Sequence, residues 1–247
     1  EKIQPDQAVN VCVPTGNFGN ILAAYYAREM GVPIDRLICA SNSNNVLTDF
    51  IRTGRYDRNR AFHNTISPSM DILISSNLER LLYLLCGRDP AKLKGYMDQL
   101  SAQGRYQVDG GILERLQAEF AAGWADDAAA ARTIRRVWEQ YGYLCDTHTA
   151  VAMDVLAQYQ QRTGDATPTL VSSTASPFKF ADAVLPAAFG VPAQGDDFAR
   201  LAQLAAASGL AAPAQLLELQ SLPERFTRVV PPDRMKQAVQ DWLLGNG

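Results

Sequence analysis

Short apolar runs alternate with helical patterns along the first third of the chain. Residues 8–13 form an apolar, β-branched run, a turn of small and polar residues follows, and residues 21–31 carry apolar side chains at helical spacing. Residues 36–41 form a second apolar run, and the segment after it predicts a short helix that ends at Gly54. Two strand–helix units in tandem predict a parallel sheet flanked by helices.

Helical periodicity dominates the middle and the end of the chain. Between about 77 and 141, leucines and aromatic residues recur at helical spacing, which is typical of helices that face a core. An amphipathic helix capped by Asp146 or Thr147 follows, and the apolar strand within 167–174 indicates that the sheet resumes. We therefore expect a βα core at about 1–76 and 142–190, a helical insertion at about 77–141, and a helical tail at about 191–247.

Composition excludes several classes of protein. The 247 residues are 47% hydrophobic and 20% charged, which suits one large or two small globular domains and not a disordered or fibrous chain. A net charge of −3 and a pI near 5.4 offer no basic surface to nucleic acid. No apolar stretch is long enough to span a bilayer, and the first residues lack the pattern of a signal peptide. We expect a cytoplasmic protein without a nucleic-acid or membrane partner.

The cysteines and histidines give no sign of a metal site. The four cysteines are widely spaced in apolar or helical surroundings and include no CxxC pair, so we expect reduced thiols in the core. The two histidines, His63 and His148, are too few and too scattered for zinc. We therefore expect no metal site.

The turn between the first strand and the first helix carries the candidate chemistry. Residues 13–20 read VPTGNFGN, and such a turn directs main-chain N–H groups and the positive end of the helix dipole outward, a geometry that binds phosphate. Gly16 and Gly19 are expected to allow a close approach and dihedral angles closed to other residues. Asn17 and Asn20 can donate side-chain amide hydrogens. The turn lacks the Walker A and three-glycine dinucleotide patterns, and on pattern alone a tight turn without a ligand remains open.

Five segments, in order along the chain, resemble threonine synthase, a pyridoxal 5′-phosphate enzyme of the tryptophan-synthase-β fold type (fold type II). They are PTGNFGN, residues 20–50, TISPSMDILISSNLERLLY, DTHTAVA and STASPFKF. The first alone would indicate only the fold type, whereas SPSMDILISSNLERL and DTHTAVA are specific to threonine synthases. The resemblance covers nearly the whole chain, and it implies an α/β fold with a mostly parallel twisted sheet flanked by helices.

The resemblance also implies a reaction and a cofactor site. Threonine synthases are lyases of threonine biosynthesis that convert O-phosphohomoserine and water to L-threonine and phosphate through pyridoxal phosphate. In this family a hydroxyl residue after a late strand contacts the pyridine nitrogen, and Thr174 stands at the matching position, although a strand-end cap is its alternative role. The residues that match the family's phosphate loop are Gly16, Asn17, Phe18, Gly19 and Asn20.

Four polar residues are candidates for the substrate site. Asn42 and Asn44 follow the second strand, at the sheet edge where α/β proteins bind ligands. Ser69 and Asp71 lie in a Ser-Pro turn before an apolar run. Stabilisation of a turn is an open alternative for all four residues. His148 lies near a helix start, where we expect capping or packing rather than acid–base catalysis.

The Schiff-base lysine of this family lies upstream of the phosphate loop, and no lysine of this chain stands in that context. We therefore identify no catalytic residue here and interpret the chain as the C-terminal part of a threonine synthase without its N-terminal domain. Alone, it should be marginally stable because of open strand edges, bind the cofactor weakly and be inactive. Two alternatives remain: a deaminase or sulfhydrylase of the same fold type, and a non-catalytic module that binds a phosphorylated ligand or a partner chain.

Overall fold

The computed structural model of the protein describes residue 4 and residues 6–245. These fall into two units, Glu1–Ala211 and Ala212–Gly247. The larger unit holds the described strands, which are β1 (Val9–Pro14), β2 (Ile34–Ser41), β3 (Arg55–Asp57), β4 (Arg105–Gln107), β5 (Phe120–Trp124) and β6 (Thr169–Val171). Four of them form a sheet in the order β5–β2–β1–β6, in which every neighbouring pair is parallel. β3 and β4 pair antiparallel as a separate ribbon. The predicted mostly parallel sheet is confirmed.

Helices cover the sheet of the larger unit. They are α1 (Gly19–Glu29), α2 (Val46–Thr53), α3 (Leu78–Leu85), α4 (Pro90–Gln103), α5 (Gly110–Glu119), α6 (Asp127–Tyr141), α7 (Thr147–Thr163), α8 (Ala181–Phe189) and α9 (Asp197–Ser208). The smaller unit contains α10 (Ala214–Glu218) and α11 (Met235–Leu243). The end of α2 at Gly54, with φ 72°, and the Asp146 cap of α7 agree with the sequence signals. Among the described helices, none is long and apolar enough to cross a membrane.

The structure differs from the sequence expectation at β5. This strand pairs with β2 in the main sheet, although it falls inside the segment of about 77–141 that periodicity predicts as a helical insertion. The centre of its sequence, FAAGW, consists of two alanines and a glycine, which are depleted in strands, so propensity marks it only at its two ends. Tertiary packing requires the glycine of this strand, because a Cβ on Gly123 would lie 2.8 Å from a methyl carbon of Val155 in α7. The predicted tail also divides, since α9 lies in the larger unit.

The two central strands position the candidate site. β1 pairs in parallel with β6, with Cys12 opposite Val171, so their carboxyl ends lie at the same edge of the sheet. The turn at residues 15–18 follows β1, and residues 172–174 follow β6. Ligands of open α/β sheets bind at such an edge.

Candidate functional site

A cavity of about 240 Å³ lies at the carboxyl edge of the sheet. Its walls are residues 13–21, Ser69, Met70, His148 and Thr174. The structure therefore brings the whole predicted phosphate loop together with Thr174. Of the substrate candidates, only Ser69 lines this cavity. The cavity is smaller than the roughly 300–1,000 Å³ of complete small-molecule pockets, so it suits a part of a ligand.

In the turn after β1, two main-chain carbonyl groups accept hydrogen bonds from side chains of the protein, whereas the main-chain N–H groups of residues 16–18 donate to no described residue. Ser75 Oγ donates to the Gly16 carbonyl at 2.8 Å, and Asn77 donates to the Asn17 carbonyl from Nδ2 at 2.8 Å and from its main-chain N at 3.2 Å. Within the described part of the chain, the main-chain N–H groups of residues 16–21 have no hydrogen-bond acceptor. Donors with no protein partner at a helix start are suited to an anion.

The start of α1 also lacks the side-chain cap that the other long helices of this unit use. An aspartate caps α4, α5, α6, α7 and α9, and in each case its carboxylate accepts main-chain N–H groups of the first turn. At α1 the N-cap is Phe18, whose side chain cannot accept a hydrogen bond, and the first turn contains no acidic residue. The positive end of the α1 dipole therefore has no carboxylate at its N-cap or in its first turn to neutralise it.

Phe18 adopts the left-handed backbone conformation at this turn, with φ 64° and ψ 5°. For a bulky residue that conformation costs on the order of 1–3 kcal/mol. The side chain is 1% exposed and its ring centroid lies 5.9 Å from that of Phe120, so burial offsets the strain. The expectation that Gly16 and Gly19 take the unusual dihedral angles is wrong, because neither has a φ in the left-handed range. The left-handed residue of this turn is instead Phe18, whose ring is buried.

The two glycines of the turn differ in their surroundings. A Cβ on Gly16 would lie 2.7 Å from the Ser69 carbonyl oxygen and 3.1 Å from Met70 Cα. A Cβ on Gly19 would meet only Asn77 Nδ2, at an ordinary 3.5 Å. The close approach at Gly16 is therefore to the protein's own backbone, and it packs the segment 69–70 directly against the phosphate turn.

The opposite wall of the cavity follows β6. Asn20 Nδ2 donates to Ser172 Oγ at 3.2 Å. One side-chain amide hydrogen of Asn20, which the sequence suggested as a phosphate donor, is therefore used to contact the segment after β6. Thr174 lines the cavity with an exposed side chain. The described lining residues include no lysine or arginine, so an anion here would be held by neutral donors and the helix dipole.

A buried Asp146–His148 pair supports the third side of the cavity. His148 Nε2 accepts the main-chain N–H of Ser69 at 3.2 Å, which assigns the ring proton to Nδ1, 3.0 Å from Asp146 Oδ1. Asp146 also accepts from the main-chain N of His148 at 2.8 Å and from the Thr149 hydroxyl. Burial raises the pKa of the Asp146 carboxyl, but the hydrogen bonds from His148 and Thr149 outweigh it and hold that pKa below its usual value.

Three of the four substrate candidates form an internal network instead of lining the cavity. Asp71 Oδ1 accepts from Asn42 Nδ2 at 2.7 Å, Asn44 Nδ2 at 2.9 Å and Thr65 Oγ1 at 2.7 Å. Asn44 also exchanges hydrogen bonds with the main chain of His63, donating at 2.8 Å and accepting at 2.9 Å. These contacts fix the segment 63–71, as the turn-stabilising alternative requires. A direct contact with substrate stays a prediction.

Sequence reasoning missed residues that shape the site from a distance. Ser75 and Asn77 fix the carbonyls of the turn, and their only signal is a cluster of hydroxyl and amide side chains just before α3. For His148 the expectation of packing is correct, since its ring lies 4.8 Å from that of Phe180. Its second nitrogen, however, reaches the cavity wall at Ser69.

Comparison with known proteins finds similarity in both sequence and fold. Residues 149–241 match the family described as "Threonine synthase, C-terminal". The structure of pyridoxal phosphate-bound threonine synthase from Brucella melitensis aligns with a TM-score of 0.80 and 37% identity, over 98% of this chain and 47% of that chain. This chain is therefore similar to the C-terminal part of threonine synthases. The resemblance inferred from the sequence is confirmed.

Two curated relatives show how much of a whole protein the chain represents. Threonine synthase of Corynebacterium glutamicum is 42% identical over 201 residues, which are 79% of this chain and 41% of that protein. Human threonine synthase-like 1 is 47% identical over 180 residues, which are 72% of this chain and 24% of that protein. The aligned part of the chain therefore spans 24% of the length of the human relative and 41% of the length of the bacterial one.

Proposed function

We propose that this chain carries the cofactor-phosphate site of a pyridoxal phosphate-dependent threonine synthase, a lyase that converts O-phosphohomoserine and water to L-threonine and phosphate. The observation that carries the proposal is the run of main-chain N–H groups at residues 16–21, which have no acceptor among the described residues and lie at the uncapped start of α1. Likeness to a pyridoxal phosphate-bound threonine synthase supports the choice of this cofactor over other phosphorylated ligands.

The residues present fit the phosphate end of the cofactor. The N–H groups of residues 16–21 would hold the phosphate, and the Thr174 hydroxyl would contact the ring nitrogen from the opposite wall. When bound, pyridoxal phosphate supplies an electron sink for proton removal at the substrate carbons. A neutral hydroxyl at the ring nitrogen stabilises its protonated form less than a carboxylate would. The walls described above therefore bind and orient the cofactor.

Covalent attachment of the cofactor requires a residue outside this cavity. No lysine is among the described lining residues, and we assign the Schiff-base lysine to a part of the whole protein outside this chain. The 247-residue chain alone is expected to release no phosphate from O-phosphohomoserine. A cytoplasmic location stays a prediction.

An activity assay on the full-length product of the gene that encodes this chain tests the reaction. We expect that product, supplied with pyridoxal phosphate, to release phosphate and form L-threonine from O-phosphohomoserine in equal amounts, and the 247-residue chain to form neither. Turnover by the 247-residue chain alone would show that the lysine assignment is wrong. If the full-length product shows no turnover, the result would count against the proposed threonine synthase reaction.

Similarity to threonine synthase-like 1 favours one alternative, a protein that binds a phosphorylated ligand through the same turn without this reaction. The observation behind it is the 47% identity to the human protein, whose name does not state the reaction. The two candidates share the phosphate site and differ only in turnover. The same assay therefore separates them, because phosphate binding without threonine formation by the full-length product supports the alternative.

A further inference from the structure

Asp146 connects two walls of the cavity through the side chains that it holds. Its carboxylate lies at the start of α7, is 0% exposed, and accepts from His148 on one oxygen and from Thr149 on the other. His148 then contacts Ser69 on one wall. The Thr149 hydroxyl lies 3.4 Å from Ser173 Oγ, in the segment that carries Thr174. The start of α7 is thus a shared support for both walls.

The contact at Ser69 extends to the phosphate turn. Ser69 donates its main-chain N–H to His148 Nε2 at 3.2 Å, while its carbonyl oxygen packs so closely on Gly16 that a Cβ there would lie 2.7 Å away. At Gly16 itself, the segment 69–70 lies too close to the turn to leave room even for a methyl group. A displacement of Ser69 therefore displaces Gly16 and the N–H groups that follow it.

We infer that His148 is a positioning residue for the phosphate turn: its Nε2 accepts the Ser69 N–H, and the Asp146 carboxylate holds the ring by accepting from Nδ1. This inference rests on the proposed function, because only the proposed function states that the turn binds phosphate. It differs from a cap or packing role, which would act on stability alone. His148 needs no contact with the bound phosphate for this effect.

Two substitutions separate the two hydrogen bonds of the ring. In His148→Asn the side-chain amide can occupy the place of Nδ1, so the bond to Asp146 is retained and the acceptor for Ser69 is lost. In His148→Gln the amide oxygen can occupy the place of Nε2, so the acceptor for Ser69 is retained and the bond to Asp146 is lost. Each variant loses one hydrogen bond and some ring packing, so a purely structural role predicts equal effects.

The experiment measures both variants and the unmodified 247-residue chain. Inorganic phosphate is titrated and followed by the amide shifts of residues 16–21, and hydrogen exchange of the segment 66–72 is measured without ligand. We expect His148→Asn to raise the phosphate dissociation constant roughly five- to tenfold and to speed exchange in that segment. His148→Gln should keep the dissociation constant within about twofold and leave exchange slow, although both variants unfold more easily.

The outcomes distinguish this inference from the proposed function. If phosphate shifts none of these amides in the unmodified chain, the proposed phosphate site is wrong, and the ligand-free exchange data still decide the role of His148. Equal effects of the two variants on exchange, or no effect of either, would overturn the inference. Slower exchange and tighter phosphate binding in His148→Gln than in His148→Asn would support it.

Discussion

Replacement of Gly16 by alanine is expected to weaken phosphate binding by at least roughly tenfold. The new Cβ would lie 2.7 Å from the Ser69 carbonyl oxygen and 3.1 Å from Met70 Cα, and both obstacles are backbone atoms that cannot rotate away. The turn or the segment 69–70 must therefore shift, and overpacking of this kind typically costs about 1–3 kcal/mol of stability. A shift of the turn moves the N–H groups that would contact the phosphate.

The matched control for this substitution is Gly110→Ala at the start of α5. A Cβ on Gly110 meets no atom within 4 Å, and this residue is outside the cavity lining. Phosphate titrations and denaturant unfolding are compared for the two variants and the unmodified chain. Gly110→Ala should match the unmodified chain in phosphate affinity. Unchanged phosphate binding in a folded Gly16→Ala chain would contradict the assignment of the turn.

Replacement of Asp146 by alanine is expected to lower the free energy of unfolding by about 3 kcal/mol. The loss leaves the main-chain N–H groups of residues 148 and 149 without an acceptor and removes the carboxylate partner of the His148 ring and the Thr149 hydroxyl, in a place where that carboxylate is 0% exposed. Asp126→Ala is the control, because this exposed aspartate caps α6 through one hydrogen bond from Ala129 N at 2.7 Å. That loss should be about 1 kcal/mol. If urea unfolding shows equal losses of free energy for the two variants, the stabilising role assigned to the Asp146 hydrogen bonds is contradicted.

The Asp146 variant should also change the acid dependence of stability. Because hydrogen bonds hold the pKa of Asp146 in the folded chain below its usual value, this carboxyl stabilises the fold at neutral pH. That contribution is lost as the pH falls below the usual aspartate pKa of about 4. Asp146→Ala should therefore lose less of its remaining stability between pH 5 and pH 3, about the range over which the carboxyl titrates when unfolded.

Local signals in the sequence predicted the elements that carry the phosphate turn. The run before Pro14, the turn and the helical spacing after Gly19 are all short-range patterns, and the Asp146 cap is a local signal as well. β5 could not be predicted in this way, because its glycine is selected by the side chain of Val155 in a helix 32 positions further along. Contacts of that range leave no periodicity in a single sequence.

The site shows the same limit. The glycine-rich turn predicted where an anion could bind, but preference for glycine assigned the left-handed conformation to the wrong residues, since it takes no account of how the Phe18 ring packs. The bond between Ser69 and His148 joins residues 79 positions apart, so each appeared as an isolated polar residue in its own segment. Asn42 and Asn44 were predicted at the sheet edge and Asp71 in a Ser-Pro turn, each from a local signal, and their mutual hydrogen bonds became visible only in the fold.

One titration tests the central claim directly: pyridoxal phosphate added to the isotope-labelled 247-residue chain, followed by the main-chain amide shifts of all assigned residues. We predict that the largest shifts fall on residues 16–21 at the start of α1, with smaller shifts at Thr174, and that inorganic phosphate competes for the same amides. Saturable shifts centred on another part of the chain, with residues 16–21 unmoved, would contradict the account.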